Sequence, residues 1–179
     1  MTLSKDELSD LEDDILDEFT EILKRKNNEG TLKALLVTLG LEDLVKRYFP
    51  EGDKLQTWPE GKILVVGALE RQVKNLKGLA KGLGIAEKRL EFVSYDEATN
   101  YDFDNLQYNQ SYCALLFGAS PHSARGKGSS RSILSELEAS PNIYPTVRRL
   151  GEAELSVTKT SFRTALTELI TEGIVSTDA

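Results

Sequence analysis

Lys62-Ile63-Leu64-Val65-Val66-Gly67 is the stretch on which the reading of the fold turns. Four apolar residues follow one another, and Ile63, Val65 and Val66 are β-branched. Such a run is apolar on both faces, as strands of a sheet covered by helices on both sides are. Downstream, Val73, Leu76, Leu79, Ala80 and Leu83 fall on one helical face, with Gly82 and Gly84 as stop signals, predicting a helix over 69–83. Leu90-Glu91-Phe92-Val93-Ser94-Tyr95 reads as a second strand. Tyr112-Cys113-Ala114-Leu115-Leu116-Phe117 reads as a third, ending at Gly118. A Gly/Ser-rich segment leads to a helix over 130–139. A weaker strand lies within 144–150, its start curtailed by Pro145. Residues 154–157 read as extended, and the last helix covers 161–171, with Phe162, Ala165, Leu166, Leu169 and Ile170 inward.

Strand and helix alternate from residue 62 onward, which predicts a parallel sheet with right-handed crossovers. The expected class is α/β: a small, doubly wound, four-stranded, mainly parallel sheet, Rossmann-like or flavodoxin-like, preceded by an N-terminal helical subdomain. Two strand orders fit this pattern, and the flavodoxin-like order 2-1-3-4 is preferred. In such sheets ligands sit beyond the carboxyl ends of the strands where the winding reverses, here between the first and third strands.

Upstream, Pro50-Glu51-Gly52-Asp53-Lys54 and Trp58-Pro59-Glu60-Gly61 mark residues 51–61 as a linker. Residues 1–50 form an acidic helical part. Ser4 and Glu7 have capping-box spacing at the start of a helix over 4–26. Leu8, Leu11, Ile15, Phe19 and Ile22 recur at offsets of 3, 4, 4 and 3 and form one apolar stripe. Packing of this stripe within its own chain is preferred over a homodimer seam. Shorter helices are expected over 31–38 and 41–49, where Pro50 stops the chain.

Composition sets outer bounds. The chain has 179 residues, 40% of them hydrophobic and 28% charged, which suits a globular protein rather than a disordered one. No apolar run reaches membrane-spanning length, and the N-terminal residues carry no secretory pattern, so the expectation is a cytoplasmic protein without a membrane partner. One cysteine and one histidine exclude a four-cysteine or multi-histidine metal site in one chain. The net charge is −7, and residues 1–60, with 15 acidic and 8 basic side chains, hold the whole excess. An acidic third of this kind argues against that segment gripping nucleic acid. It suits a solvated face or a basic partner.

The segment after the third strand carries the strongest functional signal: Gly118-Ala119-Ser120-Pro121-His122-Ser123-Ala124-Arg125-Gly126-Lys127-Gly128-Ser129-Ser130-Arg131. No acidic side chain occurs between Asn105 and Ser135, so this segment is locally +3. Glycine lets backbone N–H groups approach oxygen atoms closely, and a helix start offers unpaired N–H groups and partial positive charge. Arg125, Lys127 and Arg131 can neutralise phosphate. Ser120, Ser129, Ser130 and His122 can donate hydrogen bonds, and Gly67 and Gly118 flank the switch point. These nine residues are the expected ligand-binding set, with no catalytic or metal ligand among them. Gly126-Lys127-Gly128 is not a Walker A motif, and Gly67 stands alone where a dinucleotide fingerprint needs three glycines. Thr158-Lys159-Thr160-Ser161 is a second hydroxyl-rich helix start able to add a phosphate contact.

Other candidates have plainer readings. Asp96, Glu97, Asp102 and Asp104 follow the second strand and could meet Mg²⁺ or a ribose, but turn and cap chemistry accounts for them. Cys113 reads as a buried small apolar residue. Tyr108, Tyr112 and Tyr144 read as packing residues rather than base-stacking faces. The first expectation is thus a binding or regulatory module for a nucleotide or other phosphorylated anion at 118–131, with no enzymatic activity favoured. A nucleic-acid backbone is a weaker ligand for the same loop. The second is an interaction or scaffold protein acting through the N-terminal helices, with homodimerisation as one form. A third, weaker than both, is phosphoryl transfer using His122 with Asp102 or Asp104.

Overall fold

The computed structural model describes residues 2–49, 52, 54–119, 133–151 and 154–178. Ser120, His122, Arg125, Lys127, Ser129, Ser130 and Arg131 lie outside the described residues. The chain divides into two compact units, residues 1–49 and 50–179.

The first unit is three helices, α1 (Lys5–Asn28), α2 (Leu32–Thr38) and α3 (Glu42–Tyr48). The Ser4 hydroxyl accepts from the Glu7 N–H while the Glu7 carboxylate accepts from the Ser4 N–H at 2.8 Å. The N–H and hydroxyl of Ser4 hold the Glu7 carboxyl below its ordinary pKa. Arg25 and Lys26 occupy the last turn of α1, where the helix dipole favours cations. The expected inward packing of the α1 stripe is not what this unit shows. No residue of α1 is buried, and Leu8, Leu11 and Ile15 are 47, 42 and 55% exposed. Only Phe19 and Ile22 of the stripe are half-buried. The reason is length. At 1.5 Å per residue α1 is about 36 Å long, whereas α2 and α3 have seven residues each.

The second unit is a sheet of four parallel strands, β1 (Lys62–Val66), β2 (Leu90–Val93), β3 (Tyr112–Phe117) and β4 (Thr146–Arg149), in the order β2-β1-β3-β4. Ile63, Leu64, Val65 and Val66 are all fully buried, as the unbroken apolar run requires. Ile63 and Val65 face a core built with α4 (Glu70–Gly82) and α7 (Lys159–Thr171). Leu64 and Val66 face a second core built with α5 (Tyr95–Ala98) and α6 (Ile133–Ala139). The β1-to-β2 crossover uses the first face. The β2-to-β3 and β3-to-β4 crossovers, which run the other way along the sheet, use the second. That alternation keeps every crossover of one hand.

Three details depart from the sequence reading. Residues 96–110 look polar, yet Ala98, Phe103 and Leu106 are buried in the second core. Phe103 packs on Phe117 with ring centroids 5.7 Å apart. Residues 154–157 form no strand. The Ser156 N–H donates to the Leu150 carbonyl and Val157 is buried. In β3 the register slips: Lys62 pairs with Tyr112 but Ile63 with Ala114, leaving Cys113 as an extra residue. This bulge turns Cys113 and Ala114 toward the same core.

One buried cation, Arg89, staples the end of the sheet opposite the switch point. Its guanidinium donates to the carbonyls of Gly61 at 3.0 Å, Pro59 at 2.6 Å and Ser176 at 2.7 Å, and lies 3.4 Å from Asp178. At 5% exposure it is a charge satisfied almost wholly by main chain. The β4 edge has four residues, two of them arginines, and follows Pro145. Short length, charge and proline are the devices that discourage strand addition.

Candidate functional site

At the carboxyl edge of the sheet β1, β3 and β4 each continue the ladder by one residue. Gly67 donates to Val93, Gly118 to Val66 and Leu150 to Phe117, at 2.8, 2.9 and 2.7 Å. Beyond this point β1 and β3 diverge. Ala68 leads into α4 on one face, and residue 119 leads toward α6 on the other. Gly67 and Gly118 therefore meet at the reversal of winding, where an α/β sheet opens its crevice.

Both glycines have immediate packing reasons. Gly67 has φ +86°, and a Cβ there would stand 2.1 Å from the Ala119 carbonyl oxygen. A Cβ on Gly118 would stand 2.5 Å from Val157 Cγ2 and 3.2 Å from the Val66 carbonyl. The crevice floor is thus closed by backbone touching backbone, and a ligand belongs above it. The Gln72 side chain ties two walls together: its carbonyl accepts from the Leu69 N–H at 2.9 Å and its amide donates to the Val157 carbonyl at 2.8 Å.

Because Val157 rests on Gly118, the start of α7 lies beside the point where the basic segment leaves β3. Thr158 caps α7, and its hydroxyl accepts from the Ser161 N–H at 3.0 Å. Thr158, Lys159 and Thr160 are exposed there. Arg71, in the first turn of α4, is exposed as well. The α7 start reads in the sequence as a secondary phosphate contact, whereas nothing there singles out Arg71. A lone cation at a helix start gives little signal until the fold sets it at the carboxyl edge of the sheet.

The acidic residues after β2 serve local structure. Ser94 and Glu97 form a capping box on α5, and the Ser94 N–H and hydroxyl lower the Glu97 pKa. Asp102 accepts from the Asp104 N–H at 3.2 Å, and Asp104 accepts from the Gln107 amide at 2.9 Å. Among the described residues no group of three His, Cys, Asp or Glu side chains could hold a metal ion. Cys113 is fully buried, its sulfur 3.3–3.4 Å from the carbonyls of Lys62 and Gly61, and burial pushes its thiol pKa up. That environment opposes a thiolate nucleophile. Tyr112 and Tyr144 are buried, and both phenols are raised, chiefly by desolvation. Tyr112 donates to Glu91 at 2.7 Å and Tyr101 donates to the same carboxylate at 3.3 Å, with the Tyr101 phenol pushed up to about 12 by burial and that charge. Tyr112 and Tyr144, being buried, offer no free stacking face of the kind single-stranded nucleic acid needs.

Among the described residues no helix is long and apolar enough to cross a membrane. No family model, curated protein or solved structure matches the chain.

Proposed function

We propose that the α/β unit is a binding module for a phosphorylated anion, a nucleotide being the favoured class, at the carboxyl edge between β1 and β3. The observation that carries this reading is the convergence at the switch point. Gly118, from which the +3 segment 118–131 departs, packs against Val157, and Val157 immediately precedes the exposed Thr158-Lys159-Thr160 start of α7. The exit of β3 into that basic segment and the hydroxyl- and lysine-bearing start of α7 thus lie side by side, a suitable setting for phosphate oxygens. Arg125, Lys127 and Arg131 supply neutralising charge. Ser120, His122, Ser129 and Ser130 supply donors. Gly67 and Gly118 let the walls approach closely enough for a single phosphate to touch both.

The test is a thermal-shift panel of inorganic phosphate, mononucleotides, dinucleotides and sugar phosphates on the full chain. A ligand at about 100 times its Kd stabilises the fold by roughly 2.7 kcal/mol. Lys127→Ala and Lys159→Ala are each expected to weaken binding about tenfold, roughly 1.4 kcal/mol, with little change in the unliganded melting temperature. A panel without any shift, or binding indifferent to both variants, overturns the reading.

A further inference from the structure

We propose that the first half of α1 is a docking surface for a basic amphipathic helix of a partner protein. Leu8, Leu11, Ile15 and Leu16 are 47, 42, 55 and 63% exposed, an unusual density of large apolar side chains on one helix. At about 100° per residue, Leu8, Leu11 and Ile15 fall within an arc of about 60°. Glu12 lies on one flank of that arc, and Glu7, Asp14 and Glu18 on the other. Apolar residues at this spacing are the anchors of helix-against-helix recognition.

Charge selects the occupant. Residues 5–18 hold eight carboxylates and one lysine, a net of −7. Asp10, Glu12, Asp13, Asp14, Asp17 and Glu18 make no ion pair among the described residues. The cations of the same helix are largely spent at its other end, where Lys24 pairs with Glu21 and Lys26 with Glu29, each at 2.7 Å. A second copy of α1 would lay carboxylates against carboxylates, in parallel or centred on the exposed patch in the antiparallel sense. An anionic membrane would be repelled for the same reason. A helix carrying lysine or arginine on both sides of an apolar stripe meets both features at once, and complementary charge would also speed the encounter.

The probe is a helical Leu/Lys peptide of about five turns, with leucines at i, i+3, i+4 and i+7 and lysines flanking them. Its counterpart carries glutamate in place of lysine. Binding to the full-length protein is read by fluorescence anisotropy. The Leu/Lys peptide is expected to bind, the Leu/Glu peptide not, and affinity is expected to fall as ionic strength rises from about 0.05 to about 0.5 M. Leu11→Ser with Ile15→Ser keeps every charge and is expected to weaken binding at least tenfold. Both positions are exposed, so the variant keeps its fold, checked by an unchanged far-ultraviolet circular dichroism spectrum. Equal binding by this variant would reduce the effect to bulk charge attraction and overturn the proposal. So would sedimentation of the wild-type protein as a dimer that the same variant dissociates, which makes the occupant a second copy. Slow hydrogen exchange across 8–16 in the free monomer would show the face already covered, and would likewise end it.

Discussion

Set side by side, the two units spend their apolar residues differently. In the α/β unit β1 and β3 are buried along almost their whole length, and Phe103, Phe117 and Phe162 are at 0% exposure. In the helical unit Leu36 is the single buried apolar side chain among the described residues. Burial of apolar area is the main favourable term in folding, so equal substitutions must have unequal consequences. Phe117→Ala is expected to lower unfolding free energy by about 3–5 kcal/mol, read from urea midpoints. Leu11→Ala, the removal of an equally apolar but exposed side chain, is expected to stay within about 0.5 kcal/mol. Native-state hydrogen exchange sharpens the contrast, with 63–66 and 113–117 expected slowest and 5–18 fast.

The same contrast holds for charges. Arg89 gives its N–H groups to three carbonyls from two distant segments. Replacing it with methionine removes the Arg89 donor from all three carbonyls and leaves the direct bond from the Ser176 N–H to the Pro59 carbonyl, at 2.8 Å, to hold 59–61 to 176–178. A loss of about 3 kcal/mol is expected. Lys24 on α1 makes an ion pair at 2.7 Å too, but its side chain and that of Glu21 are 64 and 69% exposed. Lys24→Ala is expected to cost under about 0.5 kcal/mol. A cost for Lys24→Ala matching that of Arg89→Met would break the comparison.

These two residues also show why some of the molecule was legible in the sequence and some was not. The strand 62–66 could be read because burial on both faces leaves a local mark, an unbroken apolar run rich in β-branched residues. The reversal of winding followed from the alternation of strands and helices. Arg89 sits in Glu87-Lys88-Arg89, which looks like solvated surface, and its partners are 28 and 87 residues away. Phe103 and Leu106 were hidden because two apolar residues in a polar stretch establish no period. The α1 stripe teaches the converse. Its periodicity identified a face, but nothing local states whether a face is covered. The candidate site was legible as chemistry, a basic Gly/Ser segment. The Lys159 helix start was legible as well, and the packing of Val157 on Gly118 adds only that it adjoins the exit of β3.

Two glycines of positive φ carry the comparison to single atoms. Gly40, in the helical unit, has φ +68° and open space where a Cβ would go; Gly67 has φ +86° and the Ala119 oxygen 2.1 Å away. Gly40→Ala is expected to cost about 1 kcal/mol, the left-handed penalty alone. Gly67→Ala is expected to cost about 2 kcal/mol more, because one wall of the crevice must move. It should also weaken phosphate-ligand binding, whereas Gly40→Ala should not. Equal costs at the two positions would mean that the crevice floor is not closed as described.

A finer contrast is expected between the two capping boxes, Ser4 with Glu7 and Ser94 with Glu97, which are chemically the same device. Removing either serine hydroxyl costs about 1 kcal/mol of local helix stability. The carboxyl of each glutamate is lowered, first by the serine N–H and then by its hydroxyl. A carboxylate with a depressed native pKa contributes stability above its unfolded value. That contribution is lost as pH falls through the native value. Both helix starts should therefore loosen on acidification below the ordinary carboxyl range, and neither should respond near neutrality. Where they differ is in what the loosening reaches. α5 is only four residues long and carries the buried Ala98 into the second core, so Ser94→Ala should lower the cooperative melting temperature slightly. α1 carries no buried residue, so Ser4→Ala should reduce helicity without moving that transition. A shift of the α/β transition by Ser4→Ala would show that α1 lends stability to the sheet, and the two units would then have to be treated as one cooperative body.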